Sequence, residues 1–153
     1  MADYTEKPKD WKDLPPERLA EVMNRRHEGY LPSLLGFTLL SVSKERVVAR
    51  MEIQKHHLAP NDYLHAASVI ALADTVCGFA TIVNLPEGAG GFTTIELKTN
   101  FLSTARDGVI RCEGTPAHIG RRTMVWDARV RDEKSGRDLA LFRCTQMILP
   151  KKV

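Results

Sequence analysis

The chain has 153 residues, 43% of them hydrophobic, with 22 lysines and arginines against 19 acids. That length fits one globular domain able to bury a core without disulfide or metal support. The net charge of +3 is dispersed along the chain, which argues against nucleic-acid binding and leaves any recognition of phosphate to local clusters.

Residues 1–14 lack periodicity and carry Pro8, with Pro15 and Pro16 following, so they read as an arm that is loose or docked on a neighbour. The arm is polar and contains acids as well as lysines. It therefore has the pattern of neither a secretory signal nor a transit peptide, and a cytoplasmic protein is expected. The stretch PPERLAEVMNRRHEGYLP predicts a short helix, with prolines at its start, Gly29 near its stop and Leu19, Val22 and Met23 on its apolar side. From Gly36 the hydrophobic period becomes two. FTLLSVSKERVVARMEI predicts a hairpin turning at Ser43–Glu45, with Val47, Ala49, Met51 and Ile53 on one face. QKHHLAPND then forms a polar connection in which His56 and His57 read as a solvated pair.

The run from Tyr63 to Asn84 is the one long, nearly continuous apolar segment. It predicts a helix beginning near Leu64 or His65 and ending by Pro86. Apolar residues fall on every side of it, so protein should enclose it. Asp74 sits in its middle, where a carboxylate in a bilayer would cost about 2.5–3.5 kcal/mol, so no membrane partner is expected. Taken alone, the residues leave Asp74 open between a buried structural carboxylate and a functional acid. LPEGAGG, next, is a glycine-rich loop without the Gly-Lys-Ser/Thr that a phosphate loop requires.

Four strands follow. FTTIELKTNFL alternates Phe92, Thr94, Glu96, Lys98 and Asn100 against the intervening residues, and GVIRCEGTPAHIG comes after a turn at Arg106–Gly108. RTMVWDARVRDEKSG sets Met124, Trp126, Ala128 and Val130 on one face, and RDLALFRCTQMIL closes the series. Cys77, Cys112 and Cys144 stand far apart at no metal-ligand spacing and read as reduced core residues, so no metal site is expected. Sequential strands with short turns favour an antiparallel sheet that curls around the one long helix, an α+β architecture. The arm and short helix occupy 1–35, the sheet and long helix 36–153. Long terminal strands leave an edge that pairing between subunits would cover.

Four motifs in fixed order resemble the hot dog-fold acyl-CoA thioesterases of the phenylacetate-degradation type. They are Leu64-His65-Ala66-Ala67, Ala71-Leu72-Ala73-Asp74-Thr75, Thr94-Ile95-Glu96-Leu97 with Asn100-Phe101-Leu102, and His118-Ile119-Gly120-Arg121. The resemblance runs from about Gly36 to Leu149. It implies a hot dog fold, an acyl-CoA substrate and no cofactor. Asp74 would be the nucleophile or general base, and the backbone N–H after His65, that of Ala66, would polarise the thioester carbonyl. Thr94, counted back from Ser103 and Ala105, falls on a hydroxyl position that helps orient water in some relatives. The family also implies interfacial sites, in a homodimer that commonly pairs into a dimer of dimers. This chain departs from the pattern in having Ala66 and Ala67 where two glycines are usual. It also has Ala59 where many members place Asn or Gln; Asn61 lies nearby, out of register, as a candidate polar helper.

The chemistry agrees with those roles. Hydrolysis needs a carbonyl polariser, a base or nucleophile, and a hold on an anionic thiol carrier. Free N–H groups around Ala66 and Ala67 at a helix start supply the first. Asp74, its pKa raised by partial burial yet still ionised, supplies the second. Arg106, His118, Arg121 and Arg122, in loops at strand ends, are candidates for the coenzyme A phosphates. The nine residues from His65 to Asp74 turn the helix by roughly 180° and advance it about 13.5 Å. One helix therefore cannot bring both groups to one carbonyl, whereas two helices side by side can. Two alternatives are weighed. A hot dog hydratase would carry Asp-x-Asn-x-x-His, and here only Pro60-Asn61-Asp62 precedes His65. A non-catalytic acyl-CoA sensor would lose the acid, and Asp74 is present.

Overall fold

The structure, a computed structural model, describes residues 11–151. Its helices are α1 (Pro16–Arg26), α2 (Leu31–Leu34) and α3 (Ala66–Asn84), and its strands are β1 (Thr38–Val42), β2 (Val47–Glu52), β3 (Ala89–Phe101), β4 (Val109–Ile119), β5 (Thr123–Asp132) and β6 (Asp138–Pro150). The strands form one antiparallel sheet in the order β1-β2-β4-β5-β6-β3, and α3 touches all six. The α+β arrangement expected from the sequence is the one observed.

Alternation builds the core. Val47, Ala49 and Met51 on β2, Ile110 and Cys112 on β4, Met124, Trp126 and Val130 on β5, and Ala140, Phe142 and Cys144 on β6 are buried beneath α3. The helix answers with Leu72, Ala73, Val76, Cys77 and Ala80, all fully enclosed. Each large side chain so buried contributes about 1.5–3 kcal/mol. Helix and sheet come close at Gly114 on β4, where an added Cβ would stand 2.7 Å from Cγ1 of Val76. The outer face of the sheet carries ion pairs instead, among them a bidentate bridge in which Arg143 donates to Asp127 at 2.6 and 2.7 Å.

Several expectations need correction. The arm falls largely outside the described residues, but Trp11–Asp13 form a 3-10 turn and Trp11 is buried in the core. The glycine-rich loop is shorter than expected, because Ala89, Gly90 and Gly91 already belong to β3. α3 is long and apolar enough to cross a bilayer, yet 11 of its residues are buried within the protein. It is enclosed by the sheet and, in part, by the segment that carries α1 and α2. Ala66 and Ala67 are exposed, and Ile70, Ala71, Asp74, Thr75 and Gly78 are half-buried, so one side of the helix stays open in the protomer.

β3 departs from simple alternation as well. Thr94 pairs with Gln146 and Glu96 with Thr145, which leaves Ile95 as a bulge. An extra residue reverses the faces beyond it. Phe92 and Thr94 share a face with buried Gln146, and beyond the bulge Leu97, Thr99 and Phe101 take that face, opposite buried Cys144, Phe142 and Ala140. β3 is also one of the two edge strands, thirteen residues long, with Ile95 53%, Leu97 40% and Phe101 47% exposed.

Candidate active site

Asp74 emerges midway along the open side of α3, and β3 brings Thr94 to it. The Thr94 hydroxyl donates to Oδ1 of Asp74 at 3.2 Å and also lies 3.0 Å from Oε1 of Gln146 on β6. Burial raises the pKa of Asp74, and the Thr94 hydrogen bond partly offsets the rise. Oδ2 of Asp74 has no partner among the described residues. The carboxylate is thus anchored through one oxygen and presents the other to the open side.

The start of α3 is built by two histidines. His57 is buried, not solvated as its sequence suggests. Its Nδ1 accepts the N–H of Gln54 at 2.9 Å, and its Nε2 donates to the carbonyl of Leu35 at 3.1 Å. That pattern fixes the neutral ring with its proton on Nε2, and burial pushes its pKa down. The His57 carbonyl in turn accepts the Ser68 hydroxyl at 3.0 Å and the His65 N–H at 2.9 Å. His65 is the N-cap residue, and its Nδ1 accepts the Ala67 N–H at 3.0 Å. The free donors at this helix start are therefore fewer than the sequence suggests: Ala67 is occupied, Ser68 and Val69 bond to the His65 carbonyl, and Ala66 alone of the four keeps an unpartnered N–H among the described residues.

Ala66 and Asp74 are eight residues apart, and both reach the open side of α3. Eight residues advance the helix about 12 Å and turn it about 80°. The groups thus share a side, contrary to the opposed placement counted from His65, yet one carbonyl cannot touch both within a protomer. Asn61 lies in the preceding turn, where its Oδ1 accepts the Tyr63 N–H at 3.3 Å. The four candidate phosphate ligands divide. Arg106 sits at the helix start, stacked over the ring of Tyr63 at 4.8 Å, in a loop joined there by the Leu64 N–H donating to Ala105. His118, Arg121 and Arg122 lie at the opposite end of the sheet. There the Arg122 carbonyl accepts the Ile148 N–H, and Arg121 and Arg122 border a surface hollow of about 460 Å³ with Pro86, Glu87 and Met147. Val76, Cys77 and Phe79 are buried in the core. Thr75 and Gly78 are the half-open neighbours.

A family model for the Thioesterase superfamily matches residues 61–138, which include the helix start, Asp74 and Thr94. A Deinococcus radiodurans protein bearing the name "Putative esterase" is 32% identical over 142 residues, covering 90% of this chain and 88% of its own. The chain belongs to the Thioesterase superfamily. As a superfamily member it is a thioester hydrolase. The 1,4-dihydroxy-2-naphthoyl-CoA hydrolase of Escherichia coli is 28% identical over 129 residues, 84% of this chain and 93% of that protein. A thioesterase structure from Haemophilus influenzae superposes with a TM-score of 0.81 at 24% identity, covering 88% of this chain and 92% of that one. The fold of this thioesterase is therefore the hot dog fold. One polar residue at its site escaped the sequence reading, namely Gln146. The available signal was its register, since it follows Ala140, Phe142 and Cys144 at every second position on the core face of β6.

Proposed function

We propose that this thioesterase hydrolyses acyl-CoA thioesters at sites shared between two subunits, with Asp74 as nucleophile or general base and the Ala66 N–H as oxyanion donor. One observation carries the reading: an anchored carboxylate and an unpartnered helix-start N–H share the open side of α3, about 12 Å apart. Two antiparallel helices across a dyad bring Asp74 to the partner subunit's Ala66. As base, Asp74 takes a proton from water as the oxygen attacks the thioester carbonyl. As nucleophile it attacks directly, and water then opens the mixed anhydride. Either way the carbonyl oxygen becomes an oxyanion that accepts the Ala66 N–H, and the CoA sulfur leaves and ends protonated.

Thr94 anchors the carboxylate, His65 caps the helix whose start carries the donor, and Asn61 shapes the turn before it. Arg106 of one chain and the partner subunit's His118, Arg121 and Arg122 are assigned to the extended CoA. The acyl group is aromatic or medium-chain; the name of the E. coli relative, a hydrolase of 1,4-dihydroxy-2-naphthoyl-CoA, supports the aromatic end. We assign the enzyme to the cytoplasm, as a dimer paired into a tetramer.

The test is a panel of acyl-CoA and acyl-carrier-protein thioesters assayed for thiol release by the wild type and Asp74→Asn. The substitution should lower kcat on the order of 10²–10⁴-fold on CoA esters. Equal rates for the two proteins would remove Asp74 from the mechanism. Turnover confined to carrier-protein esters would remove the four CoA contacts.

A further inference from the structure

Gln146 is fully buried in the middle of β6, between Met124 on β5 and Thr94 on β3. A buried amide demands partners for both of its ends. One end lies 3.0 Å from the Thr94 hydroxyl, and the other lies 3.4 Å from Sγ of Cys144. The Thr94 oxygen also lies 3.2 Å from Oδ1 of Asp74, and a hydroxyl has a single proton. With the amide oxygen toward Thr94, the amide and the carboxylate compete for that proton, and one close oxygen pair is left without a hydrogen. An amide has the same shape either way round, so bonding decides its orientation.

We infer that Gln146 is a positioning residue for the hydrolysis, its Nε2 donating to Thr94 so that the threonine proton is committed to Asp74. This rests on the reading of Asp74 as the catalytic group. Every group then has one role in a single direction. The Cys77 thiol, hydrogen-bonded to Cys144, donates to its sulfur. The Cys144 S–H donates to Oε1 of Gln146, Nε2 donates to Oγ1 of Thr94, and Oγ1 donates to Oδ1 of Asp74. Oδ2 is left as the reacting oxygen. Donors in series polarise one another in a low-dielectric interior, so the last bond, to the carboxylate, is stronger than Thr94 alone would make it. Among the described residues the titratable group that interacts with Asp74 is the Cys77 thiol on its own helix. The Cys77 thiol is pushed well up by Cys144 and by burial, in keeping with a donor that keeps its proton.

The two amide orientations predict opposite signs for Gln146→Met, a replacement of similar size. Under the relay, removing the amide weakens the hydrogen bond to Asp74. The acid limb of the kcat/KM profile then moves up by a few tenths of a pH unit, and the rate near neutrality falls several-fold. If the amide oxygen were competing for the proton, its removal would free Thr94, and the limb would move down. Thr94→Val should move the limb up further, and adding Gln146→Met to it should change nothing more; an additive double variant would overturn the inference. Asp74→Asn assayed alongside separates the two readings. Loss of activity there with an unmoved or lowered limb in Gln146→Met sinks only the relay, whereas retained activity sinks the assignment of Asp74 itself. If Gln146→Met does not fold, nuclear Overhauser contacts in the wild type decide. Gln146 amide protons close to the Thr94 methyl are expected, and amide protons close only to the Cys144 Cβ protons would contradict the relay.

Discussion

At the scale of single residues, Asp74 in the proposed mechanism trades stability for reactivity. Its folded pKa is raised by burial, so the folded protein binds that proton more tightly than the unfolded chain does. The stabilising contribution is complete below the unfolded carboxylate range and is lost as pH rises through the folded value. At neutral pH the ionised, half-buried carboxylate therefore weighs against the fold. Asp74→Asn should melt at a higher temperature than the wild type near neutrality, with the gap closing in acid; thermal melts across that window check it. An equal gap at every pH would assign the stabilisation to something other than ionisation. Asp74 was legible in the sequence as an anomaly, an acid within an apolar helix, and the family resemblance rather than the pattern gave it a functional reading. Thr94 came from a family register rather than from any pattern of its own. Gln146 alternates with Ala140, Phe142 and Cys144, which gives its face, but its place beside Thr94 follows only from the pairing of β6 with β3. His57 was misread for a related reason, since its burial depends on the Leu35 carbonyl, 22 residues away.

Among the elements, α3 and the sheet were readable because their periods differ, and the buried faces of β2 and β5 follow alternation. The bulge at Ile95 was not readable. It depends on how β3 pairs with β6, and it reverses every position beyond it. The approach of α3 to β4 is equally a property of the packed structure. Gly114→Ala would bring a methyl within 2.7 Å of Val76, a β-branched side chain with little rotamer freedom in a helix. A loss of about 1–3 kcal/mol is expected in denaturant unfolding; unchanged stability would mean the helix has room to lift. The open side of α3 makes a second, independent prediction. If Ala66 of one chain meets Asp74 of another across a dyad, the axis passes near the midpoint, at residue 70. A cysteine introduced at Ala71 should then cross-link two chains under mild oxidation, because the native thiols are all buried. Failure to cross-link, with efficient cross-linking instead at Asn84, would place the axis elsewhere.

For the whole molecule, the proposed reading requires a second copy, because the groups it assigns to one site stand apart in the protomer. Arg106 stands by the helix start, Asp74 midway along the helix, and His118, Arg121 and Arg122 at the far end of the sheet. β3 itself leaves Ile95, Leu97 and Phe101 exposed. Complementation between two disabled chains tests the requirement for a second copy most directly. Ala66 is the first residue of α3, after an N-cap at φ −66° and ψ 133°. Proline is tolerated at that position and after that conformation, so Ala66→Pro deletes the N–H with little disturbance of the helix. Ala66→Pro and Asp74→Asn should each be nearly inactive alone. Unfolded and refolded together in equal amounts, they should recover about a quarter of wild-type activity, because half of the random dimers are mixed and each mixed dimer has one intact site of two. Activity no greater than the sum of the separate variants would contradict a site shared between subunits.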